Sequence, residues 1–127
     1  MNRWRDWWRQ AQADLQHARE SLRLEDYAWA CFAAQQAAEK ALKALYMKRN
    51  QIAWGHSVRL LLEQLSEEIP ESLLEAARIL DKYYIGPRYP NAHPAGAPFE
   101  LYTRREALEA LRLAEEILSY VRANLEG

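Results

Sequence analysis

Apolar positions recur along most of this chain at alternating steps of four and three, the period of a helix with one buried face. Trp4, Trp8, Ala11, Leu15, Ala18 and Leu22 share such a face and predict a helix over residues 2–24. Residues 25–49 predict a second helix. Ala28, Ala30, Ala33, Ala34, Ala37, Ala38, Ala41 and Ala44 give it strong helix propensity and let neighbouring backbones approach closely. Asn50 and the stretch through Gly55 and His56 break it. A short third helix is predicted over 57–66, carrying Val58, Leu61, Leu62 and Leu65. Pro70 suits the first turn of a fourth, which runs to about Tyr84 with Leu73, Leu74, Ala77, Leu80, Tyr83 and Tyr84 as its apolar and aromatic set. The last helix opens at "TRRE", where Thr103 and Glu106 form a capping box. Ala107, Leu111, Ala114, Leu118, Val121 and Leu125 then keep the spacing of a bundle seam. No strand-like alternation and no internal repeat interrupts this pattern. The expected fold is all-α: one domain over 1–127, an up-and-down antiparallel helical bundle of four long helices plus one short helix. Broad apolar seams on both terminal helices point to a homodimer or higher oligomer.

One segment departs from the pattern. "YYIGPRYPNAHPAGAPFELY", residues 83–102, holds four of the five prolines, two of the four glycines and four of the seven tyrosines. It reads as a stiff polar-aromatic loop, where helices cannot continue. As a bland feature it connects two helices. As a functional one it presents Arg88 and His93.

Composition narrows the function only partly. Hydrophobic residues make up 50% of the chain and charged ones 28%, which fits a folded globular domain. The formal net charge is −1, so bulk charge makes no case for nucleic acid, and any electrostatic footprint is local. Cys31 stands alone in an alanine-rich run, as a small buried hydrophobe. No apolar run reaches the length of a membrane span or a signal peptide, so no membrane partner is expected and a cytoplasmic protein is. The Trp/Arg-rich opening suits either a surface patch or a core, and the apolar spacing of Trp4 and Trp8 favours the core.

His17, His56 and His93 are scattered, and no Cys/His or paired-acid spacing marks a metal site. No metal or cofactor is expected. In the loop, "RYPNAH" places Arg88 five positions before His93. Arginine holds phosphate by bidentate contacts, and histidine exchanges a proton with a ribose hydroxyl or a leaving oxygen. Tyr83, Tyr84 and Tyr89 offer faces on which bases stack, and Asn91 projects beside them. The competing reading pairs Arg88 with an acid such as Asp81 and leaves His93 solvated. On the second helix, Gln36, Lys40 and Lys43 fall at steps of four and three. They either flank a phosphate-binding groove or form a solvated face with Glu39. His56 follows Gly55 and reads first as an anchor for the third helix.

Four strings carry a family resemblance: "DYAWACFAAQQAAEKALKALYMKRN", "GHSVRLLLEQL", "LDKYYIGPRYPNA" and "EALRLAEEILSYVRANL". Together, from about Trp7 to Leu125, they resemble the HEPN domain family. "AQQAAEKALKALY" and "YYIGPRYPNA" are the most specific pieces. The resemblance implies a helical bundle, commonly dimeric, that handles nucleotides or RNA. It implies a nucleotide- or RNA-binding subunit that partners a separate minimal nucleotidyltransferase chain in a two-component toxin–antitoxin system. The alternative it implies is a metal-independent endoribonuclease toxin whose Arg-x4-His motif, Arg88 and His93 here, acts at a dimer interface. A third reading is a dimeric interaction module without catalysis. Tyr89 stands where ribonuclease members have a small polar residue, and Pro90 and Pro94 break the helical motif they carry.

Overall fold

The computed structural model describes residues 1–126. Helix α1 spans Trp4–Arg23, α2 Tyr27–Lys48, α3 Val58–Glu63, α4 Glu71–Asp81, α5 Pro98–Leu101 and α6 Arg104–Leu125, with a single 3-10 turn at Pro90–Ala92. No strand occurs among the described residues. The chain is the expected all-α bundle of four long helices with shorter ones between them.

Helix α2 is the centre. It packs against α1, α3, α4, α5 and α6. All eight of its alanines are buried, together with Leu42 and Leu45. A helix enclosed on most sides has no amphipathic stripe, and small side chains allow its neighbours to approach. Asn50 takes a left-handed conformation, φ 57°, just beyond the end of α2, a role asparagine fills more readily than most residues.

The apolar seams of both terminal helices are consumed within the single chain. Ala11, Leu15 and Ala18 of α1 are buried, and Trp4, Trp8 and Leu22 pack against the same core. On α6, Ala107, Ala114, Leu118, Val121 and Leu125 are buried and Leu111 packs against them. The argument for a homodimer from surplus seams therefore falls, because α2 uses both. The capping box stands as expected: the Thr103 hydroxyl accepts from the Glu106 N–H at 3.1 Å, and the Glu106 carboxylate accepts from the Thr103 N–H at 3.0 Å.

Two polar clamps tie the ends of the bundle. Arg49 donates to both oxygens of Glu67, at 2.7 and 3.0 Å, and the Tyr120 hydroxyl donates to the same carboxylate at 2.9 Å. This joins the end of α2, the α3–α4 link and α6. At the other end Asp81, the last residue of α4, accepts from the Val58 N–H at 2.6 Å and the Ser57 hydroxyl at 2.7 Å. Asp81 thus caps α3 from a different helix, alongside Ser57, whose hydroxyl accepts from the Leu60 N–H at 3.1 Å.

Cys31 is fully buried, and burial, with the Glu106 charge adding to it, pushes its thiol up to about 12. The native protein is expected to leave a thiol-specific reagent unreacted at pH 8 and to consume one equivalent once denaturant unfolds it. For Asp81→Ala, urea unfolding is expected to show a loss of about 1–2 kcal/mol, the cost of an unsatisfied helix start.

Candidate functional site

The 83–102 segment is structured rather than extended. Helix α4 ends at Asp81, not at Tyr84, and tight turns follow, with Arg88 N–H bonded to the Ile85 carbonyl at 3.0 Å. Within this fold Tyr83 points into the core, 7% exposed, so its ring offers no face to a base. Burial pushes its hydroxyl far above the ordinary tyrosine value. Tyr84 is half-buried, Tyr89 is 47% exposed and Asn91 is exposed.

Arg88 is held by aromatic faces. Its guanidinium carbon lies 4.3 Å from the Phe32 ring centre, 4.7 Å from Tyr84 and 5.1 Å from Tyr89. Its Nε–H donates to the Tyr84 carbonyl at 2.8 Å. Among the described residues no carboxylate pairs with it, and Asp81, the acid expected to do so, caps α3 instead. The two terminal nitrogens of Arg88 have no protein acceptor among the described residues. A guanidinium stacked in this way keeps its charge, loses little rotamer freedom on binding and presents its donor edge for a bidentate contact.

His93 faces elsewhere. Its Nε2 sits 2.7 Å from the Gly86 carbonyl, and since a carbonyl only accepts, Nε2–H is the donor. Its ring meets Tyr102 edge-on at 5.7 Å. Together they line an open cleft of about 580 Å³ that also contains Glu106 and Glu109. Arg88 and His93 thus share a loop but rest on different surroundings, Phe32 of α2 in one case and Tyr102 before α6 in the other.

The lysines of α2 are engaged. Lys40 donates to Asp14 of α1 at 2.6 Å, and Lys43 donates to Glu39 at 3.0 Å with its side chain 13% exposed. Gln36 donates to the Gln35 side-chain oxygen at 2.8 Å. Gln36 and Lys40 are half-buried and line an open pocket with Asp14, His17, Trp29 and Phe32, whereas Gln35 is fully buried and Glu39 is 4% exposed.

Glu39 and His56 form the arrangement that sequence reasoning did not assemble. The Glu39 carboxylate accepts from Lys43, from Gln35 at 3.2 Å and from His56, whose Nδ1 lies 3.1 Å from Oε2. Burial alone raises its pKa, but the bonds from Lys43, Gln35 and His56 outweigh that and hold it below the ordinary value. The Gln35 amide also donates to the His56 carbonyl at 3.0 Å, which fixes the backbone beneath the ring. Gly55, at φ +81°, allows the reversal that delivers His56 to α2. The His56 ring stacks on Tyr84 at 4.5 Å and 15°, so one tyrosine bridges His56 and Arg88. The signals were present separately: Gln35, Glu39 and Lys43 at steps of four, and a Gly-His-Ser helix start. Only the folded chain brings them to Tyr84.

No group of three or more His, Cys, Asp or Glu side chains is placed to hold a metal among the described residues, and no helix there is long and apolar enough to cross a membrane.

The HEPN domain model matches residues 4–124, nearly the whole chain. The chain belongs to the HEPN family. It is 27% identical over 125 residues to a Methanocaldococcus jannaschii protein named "Putative toxin MJ1304", covering 90% of this chain and 82% of that one. The crystal structure of TT1696 from Thermus thermophilus superposes with a TM-score of 0.95 at 60% identity, covering 98% of this chain and 99% of that one. ST0689, described as an archaeal HEPN homologue, gives a TM-score of 0.84 at 41% identity over 97% of this chain and 98% of its own. A HEPN domain protein of Thermotoga maritima gives 0.79 at 39% identity over 95% and 98%.

The lowered pKa of Glu39 sets a sign for acid stability. Its ionised form is favoured in the fold, so its contribution is complete above the unfolded value of about 4.3 and is lost as pH falls through the lower folded value. Unfolding midpoints measured from pH 6 downward are expected to fall below about pH 4.3, and Glu39→Gln is expected to flatten that slope while lowering stability at pH 7 by about 1–3 kcal/mol.

Proposed function

We propose that this HEPN protein is a toxin-like subunit that binds the phosphate of RNA or a nucleotide at Arg88 and works with a separate nucleotidyltransferase chain. One observation carries the reading: Arg88 is braced on three aromatic rings with no acidic partner among the described residues. Arg5, Arg9, Arg104, Arg105 and Arg122 likewise have no carboxylate partner among the described residues, but they are exposed, whereas Arg88 is half-buried and held in place by its rings and the Tyr84 carbonyl. Tyr89, exposed beside the guanidinium, and Asn91 supply a stacking face and a polar group for the attached nucleoside. The name carried by the M. jannaschii relative supports the toxin-like part. Trp54, Ile52 and Phe99, each more than 70% exposed, give a partner chain or a second copy apolar surface to cover.

The endoribonuclease alternative with His93 as acid/base is the weaker reading. His93 rests against Gly86 and Tyr102 in a cleft lined by Lys82, Glu106 and Glu109, and shares none of the aromatic contacts that hold Arg88. The binding reading is tested by fluorescence anisotropy with labelled single-stranded RNA and, as competitor, a mononucleotide. Arg88→Ala is expected to weaken RNA binding at least tenfold, about 1.4 kcal/mol, while Arg88→Lys recovers part of it. Unchanged affinity in Arg88→Ala overturns the proposal.

A further inference from the structure

The tryptophans and arginines that open the chain take different places in the fold. Trp4 and Trp8 pack against the core. Arg5, Arg9, Gln12, Gln16, Arg19 and Arg23 recur at alternating steps of four and three, so they share one flank of α1, and that series contains no acid. Gln12 and Arg19 of this flank line a pocket of about 240 Å³ with Glu115, Ser119 and Arg122 of α6. Arg19 donates to Glu115 at 2.9 Å, and Arg23 to Glu20 at 2.9 Å, which neutralises the acids beside the row. Arg5, Arg9 and Arg122 have no carboxylate among the described residues and are exposed. The chain as a whole has a formal net charge of −1, so this face is a local excess of positive charge.

We propose that the α1–α6 face is a second contact surface for RNA, one that takes the phosphodiester backbone of a single strand without reading its bases. This rests on the reading of RNA as the ligand. The face is separate from the Arg88 anchor, whose contacts are with α2 and its own loop. Arg5 lies over the Trp4 ring at 4.6 Å and Arg122 over the Trp8 ring at 5.5 Å. Each half-buried tryptophan is therefore overlaid by a guanidinium, and the face presents donor edges where bare rings would present stacking surfaces. Guanidinium edges hold phosphate oxygens and carry no sequence information. The Gln12 amide and the Ser119 hydroxyl add donors at the pocket. From Arg5 to Arg23 the row runs about 27 Å at about 1.5 Å per residue, enough to follow several phosphates. A protein partner fits this face less well. Protein interfaces form around apolar or aromatic anchors that lose their water on binding. Among the described residues no large apolar side chain of α1 is exposed, and on α6 only Leu108 is, outside the pocket. Contact with a nucleic-acid backbone is driven by charge and counterion release alone.

The test is fluorescence anisotropy of the full chain with labelled single-stranded RNAs of different sequence over a range of KCl concentrations, with a mononucleotide measured alongside. In the double variant Arg9→Gln/Arg122→Gln, RNA affinity is expected to fall at least tenfold at low salt. The slope of log affinity against log salt is expected to shrink by about 1.4, two contacts at about 0.7 each, for every sequence alike. Mononucleotide binding, assigned to Arg88, is expected to stay unchanged. Both positions are exposed and glutamine is close to arginine in helix propensity, so the fold is retained, which circular dichroism checks. Arg59→Gln/Arg78→Gln removes the same charge from α3 and α4 and is expected to leave the slope unchanged. A slope unchanged in R9Q/R122Q, or reduced equally in R59Q/R78Q, overturns this surface and leaves the Arg88 anchor standing. A loss confined to one base sequence overturns backbone contact. Poly-glutamate that displaces the RNA at equal charge concentration overturns the assignment to RNA and turns the face to an acidic protein. RNA affinity indifferent to Arg88→Ala but lost in R9Q/R122Q overturns the anchor and leaves this surface.

Discussion

Helix α2 is enclosed by other helices, and enclosure leaves room for little but small side chains. Alanine at every buried turn lets α1 and α6 lie close on two sides, which is why the apolar stripes of those helices are used up inside one chain. One strip of α2 is covered differently. Along Gln35 and Glu39 the neighbour includes the connection through Gly55 and His56. A connection brings main-chain polar groups and an imidazole where a helix would bring leucines, so that strip is polar although it is buried. The site follows from this gap in the enclosure.

The second constraint is aromatic. Phe32 projects from α2 one turn before Gln36, and Tyr84 comes from the turns after α4. Arg88 lies over both rings, and His56 stacks on the second. Three segments far apart in sequence, α2, the connection at His56 and the turns after α4, therefore meet on one tyrosine. Asp81 contributes without touching the site: by capping α3 it fixes Ser57 and Val58, and with them the end of the segment that carries His56. The short distance from Asp81 to Tyr84 along the chain couples the helix cap to the position of the ring.

Much of the fold is legible in the sequence, because helix periodicity is a local signal. The spacing of Trp4 through Leu22, the alanines of α2 and the Thr103–Glu106 capping box each specify their element without tertiary information. The end of α4 is less legible. Tyr83 continues the apolar pattern of the helix and is indeed buried, but it reaches the core from a turn. At the site, Arg88 stands out by its loop, whereas its aromatic setting depends on Phe32, which no periodic argument distinguishes from a core residue. His93 stands out by its spacing from Arg88, yet spacing along a proline-rich chain sets no distance in space. Glu39 is hidden for the opposite reason: a glutamate among lysines on a helix reads as solvated, and only the covering connection buries it.

That burial is the strongest argument for a purpose beyond packing. Moving a carboxylate out of water is costly, and a buried ion pair seldom stabilises a fold more than well-packed apolar side chains of similar size. Here one carboxylate collects Lys43, Gln35, Gln36 and His56 as donors, which keeps it ionised at 4% exposure. A bundle that required only cohesion would do as well with a leucine at position 39. The buried charge achieves something a leucine cannot. It accepts from Nδ1 of His56, whose ring lies stacked on Tyr84. Helix packing accounts for the alanines of α2; it does not account for Glu39, and the orientation of His56 does.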